Sequence, residues 1–224
     1  MENAADALRI AAGVLIAILL ISLFIMVFNR ISNVEEERSK QELITQITQF
    51  NAKFNAFDKS SMYGTDLISV LGLAYSNNME VNRVNSKHPD GRYDANLDGS
   101  INIEFKLTTD IYEMETTKDY KVVNGIQTLV STKKVQGKKI FKNNTVYSLA
   151  NDNDEMENIK NIVIDGNTTK VETKRITSIE TKETTTDTYG FSELKQNIFK
   201  CTKIGYTDAG RINYMRFEQI KWGK

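Results

Sequence analysis

The feature that most constrains this chain is an uncharged apolar run near its amino terminus. Ile10–Phe28 is 19 residues long, and 13 of them are Leu, Ile, Val or Phe. A helix rises about 1.5 Å per residue, so this run covers roughly 28 Å, close to the hydrocarbon thickness of a bilayer. A cleaved signal peptide has a basic start and a small-residue cleavage site, whereas this run ends in Phe28-Asn29-Arg30. We predict a retained transmembrane helix over 10–28, after a short tail over 1–9.

Two signals give opposite orientations for this helix. Arg30, Arg38 and Lys40 follow the run and only Arg9 precedes it, which by the distribution of basic residues places the carboxyl side in the cytoplasm. The rest of the chain has the hairpin signals and the Thr and Asn abundance of an extracellular domain. We give more weight to the second signal and expect a single-pass protein of the cell membrane whose C-terminal domain is extracellular.

The apolar run is followed by a predicted amphipathic helical stalk over 29–57. The stalk contains no Gly or Pro, and Ile47, Phe50, Phe54 and Phe57 are spaced by three, four and three residues. This spacing places them on one face of a helix. We expect the three phenylalanines to pack against the chain's own domain, and an alternative is that they also contact neighbouring copies.

The remaining residues, 58–224, predict an α+β ectodomain. A second helix is expected from about Tyr63, ended by Asn77-Asn78, within a helix-and-loop region over 58–99. From residue 100 the apolar period becomes two, as in a half-buried strand, with alternating residues Ile101, Ile103, Phe105 and Leu107. We predict a mostly antiparallel sheet, with one or two short helices, packed on the stalk.

Hairpin signals recur over 100–224. Asn124-Gly125 between two apolar segments is the strongest of them. Similar turns are expected at Asp165-Gly166-Asn167 and at Thr207–Gly210, and Thr168–Thr188 is expected to be either an edge hairpin or an exposed strand. Lys133, Lys134, Lys138, Lys139 and Lys142 predict a basic hairpin around Gly137.

Composition excludes several functions. The chain has 29 basic and 29 acidic residues, one Cys and one His. Neutral charge gives no electrostatic reason to expect nucleic acid as a partner. A single Cys forms no intrachain disulfide, and the sequence has no phosphate-binding glycine loop and no paired-carboxylate signature. We therefore expect a protein that is not an enzyme and has no organic cofactor.

One loop has the spacing of a calcium site. Asp94, Asn96, Asp98 and Ser100, with Gly99 at the turn, resemble the first positions of an EF-hand or dockerin loop over residues 94–102. Alternating oxygen ligands of this kind converge on Ca²⁺. The twelfth position, which is normally a bidentate acid, is Phe105. The loop therefore predicts weak calcium binding, with an affinity of about 10⁻⁴–10⁻³ M; the alternative is a polar Asp-Gly turn that leads into a strand.

The order of an apolar helix, an unbroken amphipathic extension and a sheet domain resembles type IV pilin-like and prepilin-like bacterial surface proteins. The resemblance is one of architecture, without the basic leader ending in Gly that marks processing in that family. It implies that apolar helices bundle in a filament core, and that an acid near the amino terminus neutralises a neighbour's amine. Glu2 or Asp6 would be that acid.

The resemblance thus implies a non-enzymatic structural subunit of a surface filament or secretion apparatus. Its partners would be the bilayer and, through the N-terminal helix, other copies of itself or other envelope and secretion proteins. The assembly residues would be Glu2, Asp6, Phe50, Phe54 and Phe57. The alternative is a single-pass anchored binding or adhesion ectodomain that does not polymerise.

Overall fold

The fold is α+β, as predicted, and is built from one long helix and a mostly antiparallel sheet domain. A computed structural model of the chain describes residues 2–85, 90–150, 154–165, 169–188 and 190–220. The chain divides into two compact units, Met1–Gln49 and Phe50–Lys224. The first unit is helical throughout its described residues, and the second contains the remaining elements.

Helix α1 is continuous over Glu2–Asn55 and includes the predicted membrane span and all but the last two residues of the predicted stalk, which form a turn. No Gly lies between Gly13 and Gly64, and no Pro precedes Pro89, so nothing in the backbone interrupts the hydrogen-bond ladder. The hydroxyl of Ser22 donates to the carbonyl of Ile18 and is thereby satisfied inside the apolar run. The predicted tail over 1–9 is itself helical from Glu2.

The last turns of α1 belong to the second unit and enter its core. Phe54 is completely buried, and Phe50 and Phe57 are half-buried against the same core. The rings of Phe50 and Phe54 lie 4.9 Å apart between centroids. The expected packing of the three phenylalanines on the chain's own domain is therefore confirmed.

Helix α2 spans Gly64–Asn85, so the predicted end at Asn77-Asn78 is wrong. Asparagine favours helix ends because its side chain competes for backbone hydrogen bonds. Here the Asn78 and Asn82 side chains are buried and donate instead to backbone carbonyls of the segment after the helix, at Gly91, Ile101, Asp90 and Arg92. These tertiary hydrogen bonds allow the helix to continue through both residues.

The described residues of the second unit form nine strands and two further helices. The strands are β1 Met62–Tyr63, β2 Asn102–Lys106, β3 Ile111–Val123, β4 Ile126–Phe141, β5 Val146–Ser148, β6 Thr169–Arg175, β7 Glu180–Asp187, β8 Ile198–Tyr206 and β9 Ile212–Gln219. The helices are α3 Asp154–Asp165 and α4 Phe191–Gln196. Beyond α1 the described residues thus contain three helices, of which α3 and α4 are short.

The main sheet has the strand order β1-β8-β9-β2-β5 and covers the core. Its pairs are antiparallel except β2 with β9, which run parallel. The alternating residues of the predicted strand around β2 are all buried, at Ile101, Ile103, Phe105 and Leu107. The hairpin expected at Thr207–Gly210 joins β8 to β9, where Gly210 has a φ of 80°.

A second sheet, β4-β3-β7-β6, extends away from this core, and we call it the wing sheet. At the end of this sheet nearest the core, the paired residues Ile111 and Phe141 are buried. Every residue of β4 from Ile126 to Lys139 is exposed. The sequence predicts one sheet, and the structure has two, because a strand pattern identifies strands without saying which sheet each one joins.

The wing sheet confirms two predicted hairpins and corrects a third. Asn124 and Gly125 have φ angles of 54° and 79° and join β3 to β4, as a type I′ turn requires. The Thr-rich segment forms the hairpin of β6 and β7, with β6 at the edge. The basic hairpin around Gly137 is wrong: Gly137 lies inside β4, so Lys133–Lys139 run along a single strand.

The prediction of a hairpin at Asp165-Gly166-Asn167 is wrong, because the segment before the turn is not a strand. The preceding residues, Ile162–Ile164, belong to α3 and not to a strand. Ile159 and Ile162 are both buried and lie three residues apart on one helical face, and a short apolar run does not by itself distinguish strand from helix. Gly166 and Asn167 lie outside the described residues.

Replacing Phe54 tests whether the end of α1 is part of the domain core. Because Phe54 is completely buried, Phe54→Ala should reduce the free energy of unfolding of the domain by about 3–5 kcal/mol. Ile44→Ala is the control, since Ile44 is exposed on the same helix, and should change it by less than about 0.5 kcal/mol. Denaturant unfolding of the full chain in detergent measures both, and equal effects would contradict the assignment.

Candidate functional site

The predicted calcium loop is a series of turns between α2 and β2, and its candidate ligands interact with one another. The Asp94 Oδ1 atom accepts hydrogen bonds from the backbone N–H of Asn96 at 2.9 Å and from its side-chain amide at 3.0 Å. The Ser100 hydroxyl oxygen accepts from the Asp94 N–H at 3.0 Å. The structure therefore brings Asp94, Asn96 and Ser100 together, although the Asp94 carboxylate is already engaged by donors of the loop.

The backbone at Gly99 favours glycine, because its φ of 90° lies in the left-handed region. A Cβ atom there would also lie 2.7 Å from the Arg211 guanidinium, which would have to shift. Its carbonyl accepts hydrogen bonds from the Asn77 amide at 2.8 Å and from the Arg211 guanidinium at 3.0 Å. The turn glycine that the sequence assigns to a metal loop thus also accepts a hydrogen bond from a half-buried cation.

Arg211 connects this loop to the end of α1. Its guanidinium carbon lies 3.8 Å from the centroid of the Phe50 ring, a distance at which a cation and an aromatic face attract. Burial lowers the pKa of Arg211, and the negative charge of Asp98 acts in the opposite direction. The Asp98 carboxylate therefore interacts electrostatically with the Arg211 guanidinium of the same chain.

Asn51 completes the same contact. Its side-chain amide donates to the Gly210 carbonyl at 2.8 Å, and its Oδ1 atom accepts from the Ile212 N–H at 2.8 Å. We call the set Phe50, Asn51, Asn77, Gly99 and Arg211 the junction cluster. It joins the last turns of α1, helix α2, the loop before β2 and the β8–β9 turn, all within the second unit.

Asn51 and Arg211 are site residues that the sequence does not predict. Asn51 lies beside the apolar stripe of the stalk, and Arg211 follows a Gly in a hairpin turn, where a polar residue needs no special explanation. The hydrogen-bond partners of their side chains are between 112 and 161 residues away along the chain, and no local pattern reports such a pairing.

The calcium prediction stays a prediction. Among the described residues, no group of three or more His, Cys, Asp or Glu side chains is placed to hold a metal ion. The loop would contribute two carboxylates, Asp94 and Asp98, with Asn96 and Ser100 as its neutral candidate ligands.

The candidate assembly residues fall into two groups. Phe50, Phe54 and Phe57 lie in or against the domain core, as described above. Glu2 and Asp6 lie in the first turns of α1, and their side chains are outside the described residues. The proposed pairing of either acid with a neighbour's amine therefore stays a prediction.

Helix α1 contains a stretch that is long and apolar enough to span a membrane. Every residue from Ile10 to Phe28 is exposed. By length and composition this is a candidate membrane span, in agreement with the prediction over 10–28.

Cys201 has the environment of a structural thiol. It lies in β8 and packs against the core, half-buried. Burial, together with the nearby Asp58 carboxylate, raises its pKa to about 11. A thiol with so high a pKa is mostly protonated near neutral pH and is a poor nucleophile.

Comparison with known proteins gives no match: no family model, no curated protein and no solved structure is detectably similar to this chain.

Calorimetry tests the loop directly. If residues 94–102 bind Ca²⁺, titration should give a dissociation constant of about 10⁻⁴–10⁻³ M and an increase in melting temperature at millimolar Ca²⁺. Asp94→Asn combined with Asp98→Asn should remove both effects, whereas Asp208→Asn, at an exposed acid in the β8–β9 turn, should leave them unchanged. The absence of both heat and a melting shift in the unmodified chain would refute the calcium prediction.

Proposed function

We propose that this chain is a membrane-anchored structural subunit, of pilin-like or pseudopilin-like character, in a surface filament or secretion apparatus. The observation that carries the proposal is the composition of α1. One uninterrupted helix holds an apolar stretch of membrane length and, at its other end, the buried core residue Phe54. The candidate membrane span and a core residue of the domain thus lie in the same helix.

The composition of the apolar stretch favours a location in lipid or in a bundle of helices. Its 13 Leu, Ile, Val and Phe residues each favour membrane insertion by roughly 0.3–0.6 kcal/mol, which sums to several kcal/mol. An exposed apolar surface of this size is unfavourable in water. A bilayer before assembly and a core of packed helices after assembly would both cover it.

The proposal includes an extracellular C-terminal domain. A Thr- and Asn-rich domain dominated by hairpins favours this orientation, although the basic residues that flank the span oppose it. In the assembled form, Glu2 or Asp6 would neutralise the amine of an adjacent copy inside the apolar bundle, where an unpaired charge is costly.

A second candidate function is supported by a cleft of about 340 Å³ between the wing sheet and α4. All but one of its lining residues have polar or charged side chains, and the lining consists of Met114, Thr116, Lys134, Gln136, Thr185, Asp187, Ser192, Glu193 and Gln196. Burial and the nearby Asp187 raise the pKa of Glu193, whose carboxylate accepts a hydrogen bond from the Tyr112 N–H at 3.3 Å. Such a cleft suits an anchored ectodomain that binds a polar ligand without polymerising.

Electron microscopy of sheared cell-surface material, with an antibody against the domain, separates the two functions. A filament subunit should label sheared filaments, and chemical crosslinking of intact cells should give a ladder of oligomers. Glu2→Gln combined with Asp6→Asn should reduce the ladder, whereas Glu42→Gln on the exposed stalk should not. Retention of the chain in the membrane fraction as a monomer, with no ladder, would favour the anchored binding domain.

Protease added to intact cells tests the orientation. An extracellular domain should be removed, and a membrane-protected fragment that contains residues 10–28 should remain. Lysed cells provide the control for intrinsic cleavability. Complete protection of the domain in intact cells, together with cleavage after lysis, would place it in the cytoplasm.

A further inference from the structure

The far end of the wing sheet is apolar, unlike the rest of this sheet. Four large aliphatic side chains lie there with exposed fractions from 48% at Ile179 to 69% at Ile126. We call this set the wing tip, and its members are Val123, Ile126, Ile176 and Ile179. The strands behind it carry mainly Thr, Lys and Glu.

Two neighbouring turns form the wing tip. The β3–β4 turn carries Val123 and Ile126, which are paired across the hairpin. The β6–β7 turn carries Ile176 and Ile179, and the Ile179 carbonyl accepts a hydrogen bond from the Val122 N–H at 2.7 Å. The two turns are therefore held side by side, and together they present aliphatic side chains at one end of the sheet.

A cationic collar lies directly behind the tip. Lys121, Lys174, Arg175 and Lys182 are exposed on three of the four strands. Two carboxylates, Asp119 and Glu180, lie in the same rows of the sheet. Lys121 is paired with Glu180, and Lys182 is paired with Asp119 on one side and with Lys174 on the other. Four cations against two carboxylates leave the collar with a net charge of +2.

An aromatic residue lies at the same level as the collar. Tyr120 is paired with Leu129 on one side and with Thr181 on the other, and the row continues to Arg175. From the end of the sheet inward, the order is thus the aliphatic turns, then a level that holds Tyr120, the cations and the aliphatic pair Leu129 and Val130, then Thr-rich strand. Membrane proteins have this order at an interface, where Tyr lies at headgroup depth and basic residues contact anionic headgroups.

We propose that the wing tip inserts into the interface of a bilayer that contains anionic lipid. The aliphatic side chains enter the acyl boundary, Tyr120 lies at the headgroups, and the collar contacts lipid phosphates. This contact goes beyond the anchoring function of α1, and it does not require the chain to polymerise.

The charge of the collar favours lipid over a second copy of the tip. Pairing two tips would bring two collars of net charge +2 together, and like charges in an interface are unfavourable. An anionic headgroup surface instead attracts the collar, and salt weakens this attraction. The aliphatic side chains also project from two turns at the end of a sheet, so a fluid interface can surround them.

The test places a fluorophore next to the tip in the full chain. Thr128, exposed and two residues from Ile126, is replaced by Cys in a Cys201→Ser background and labelled with an environment-sensitive dye. The chain is embedded in phosphatidylcholine nanodiscs and mixed with vesicles of phosphatidylcholine, alone or with phosphatidylglycerol. A lipid-borne quencher is placed either in the nanodisc or in the vesicles, so that quenching identifies the membrane that the tip contacts.

We expect quenching by lipid in the vesicles that contain phosphatidylglycerol, with weaker binding at high salt. Ile126→Asp should weaken the interaction about ten-fold, because one large aliphatic side chain is no longer buried. Ile176→Asp on the other turn should act similarly. Val171→Asp is the matched control, since Val171 is exposed on β6 but distant in register from the tip.

Three results would overturn the proposal. The first is a lack of quenching in every lipid mixture. The second is equal quenching by the chain with Ile126→Asp, with Ile176→Asp and with Val171→Asp. The third is crosslinking of the unlabelled Thr128→Cys chain to another copy of itself at this position, which would identify the tip as a protein contact. Thermal melting of each variant shows whether its fold is retained.

Discussion

The uncovered apolar surface of α1 is the constraint on which the rest of the protein depends. Nineteen residues from Ile10 to Phe28 carry no charge, and none of them is buried by the chain. Several kcal/mol favour their transfer into lipid. By length and composition these residues are a candidate membrane span, and the proposed function depends on lipid or other apolar helices covering them.

The domain incorporates the end of the same helix through chemically different contacts. Phe54 fills the core, Asn51 satisfies the backbone of the β8–β9 turn, and Arg211 lies against Phe50 while donating to the Gly99 carbonyl. Apolar burial supplies most of the stabilisation in such a contact, whereas the hydrogen bonds select one geometry. The loop that resembles a calcium site is thus also a structural part of the helix attachment.

The wing sheet shows how a sheet with little apolar surface is held together. Cross-strand pairs replace a core there, with Thr116 opposite Thr185, Thr117 opposite Thr184, and the Ser131 hydroxyl donating to Asp119 at 2.6 Å. Each pair contributes only about 0.2–1 kcal/mol. Because the rest of the wing sheet is mainly polar, its aliphatic tip is the part that we propose as a contact surface.

The sequence by itself determined what depends on local periodicity and composition: the apolar span, the buried alternation from Ile101 to Leu107, and the Asn124-Gly125 hairpin. Tertiary structure alone decided that Ile162–Ile164 is helical, that α2 continues through Asn78, that the strands form two sheets, and that Arg211 meets Gly99 and Phe50. The reason is physical: a helix or strand pattern expresses interactions within a few residues, whereas these outcomes depend on partners that only folding brings into contact.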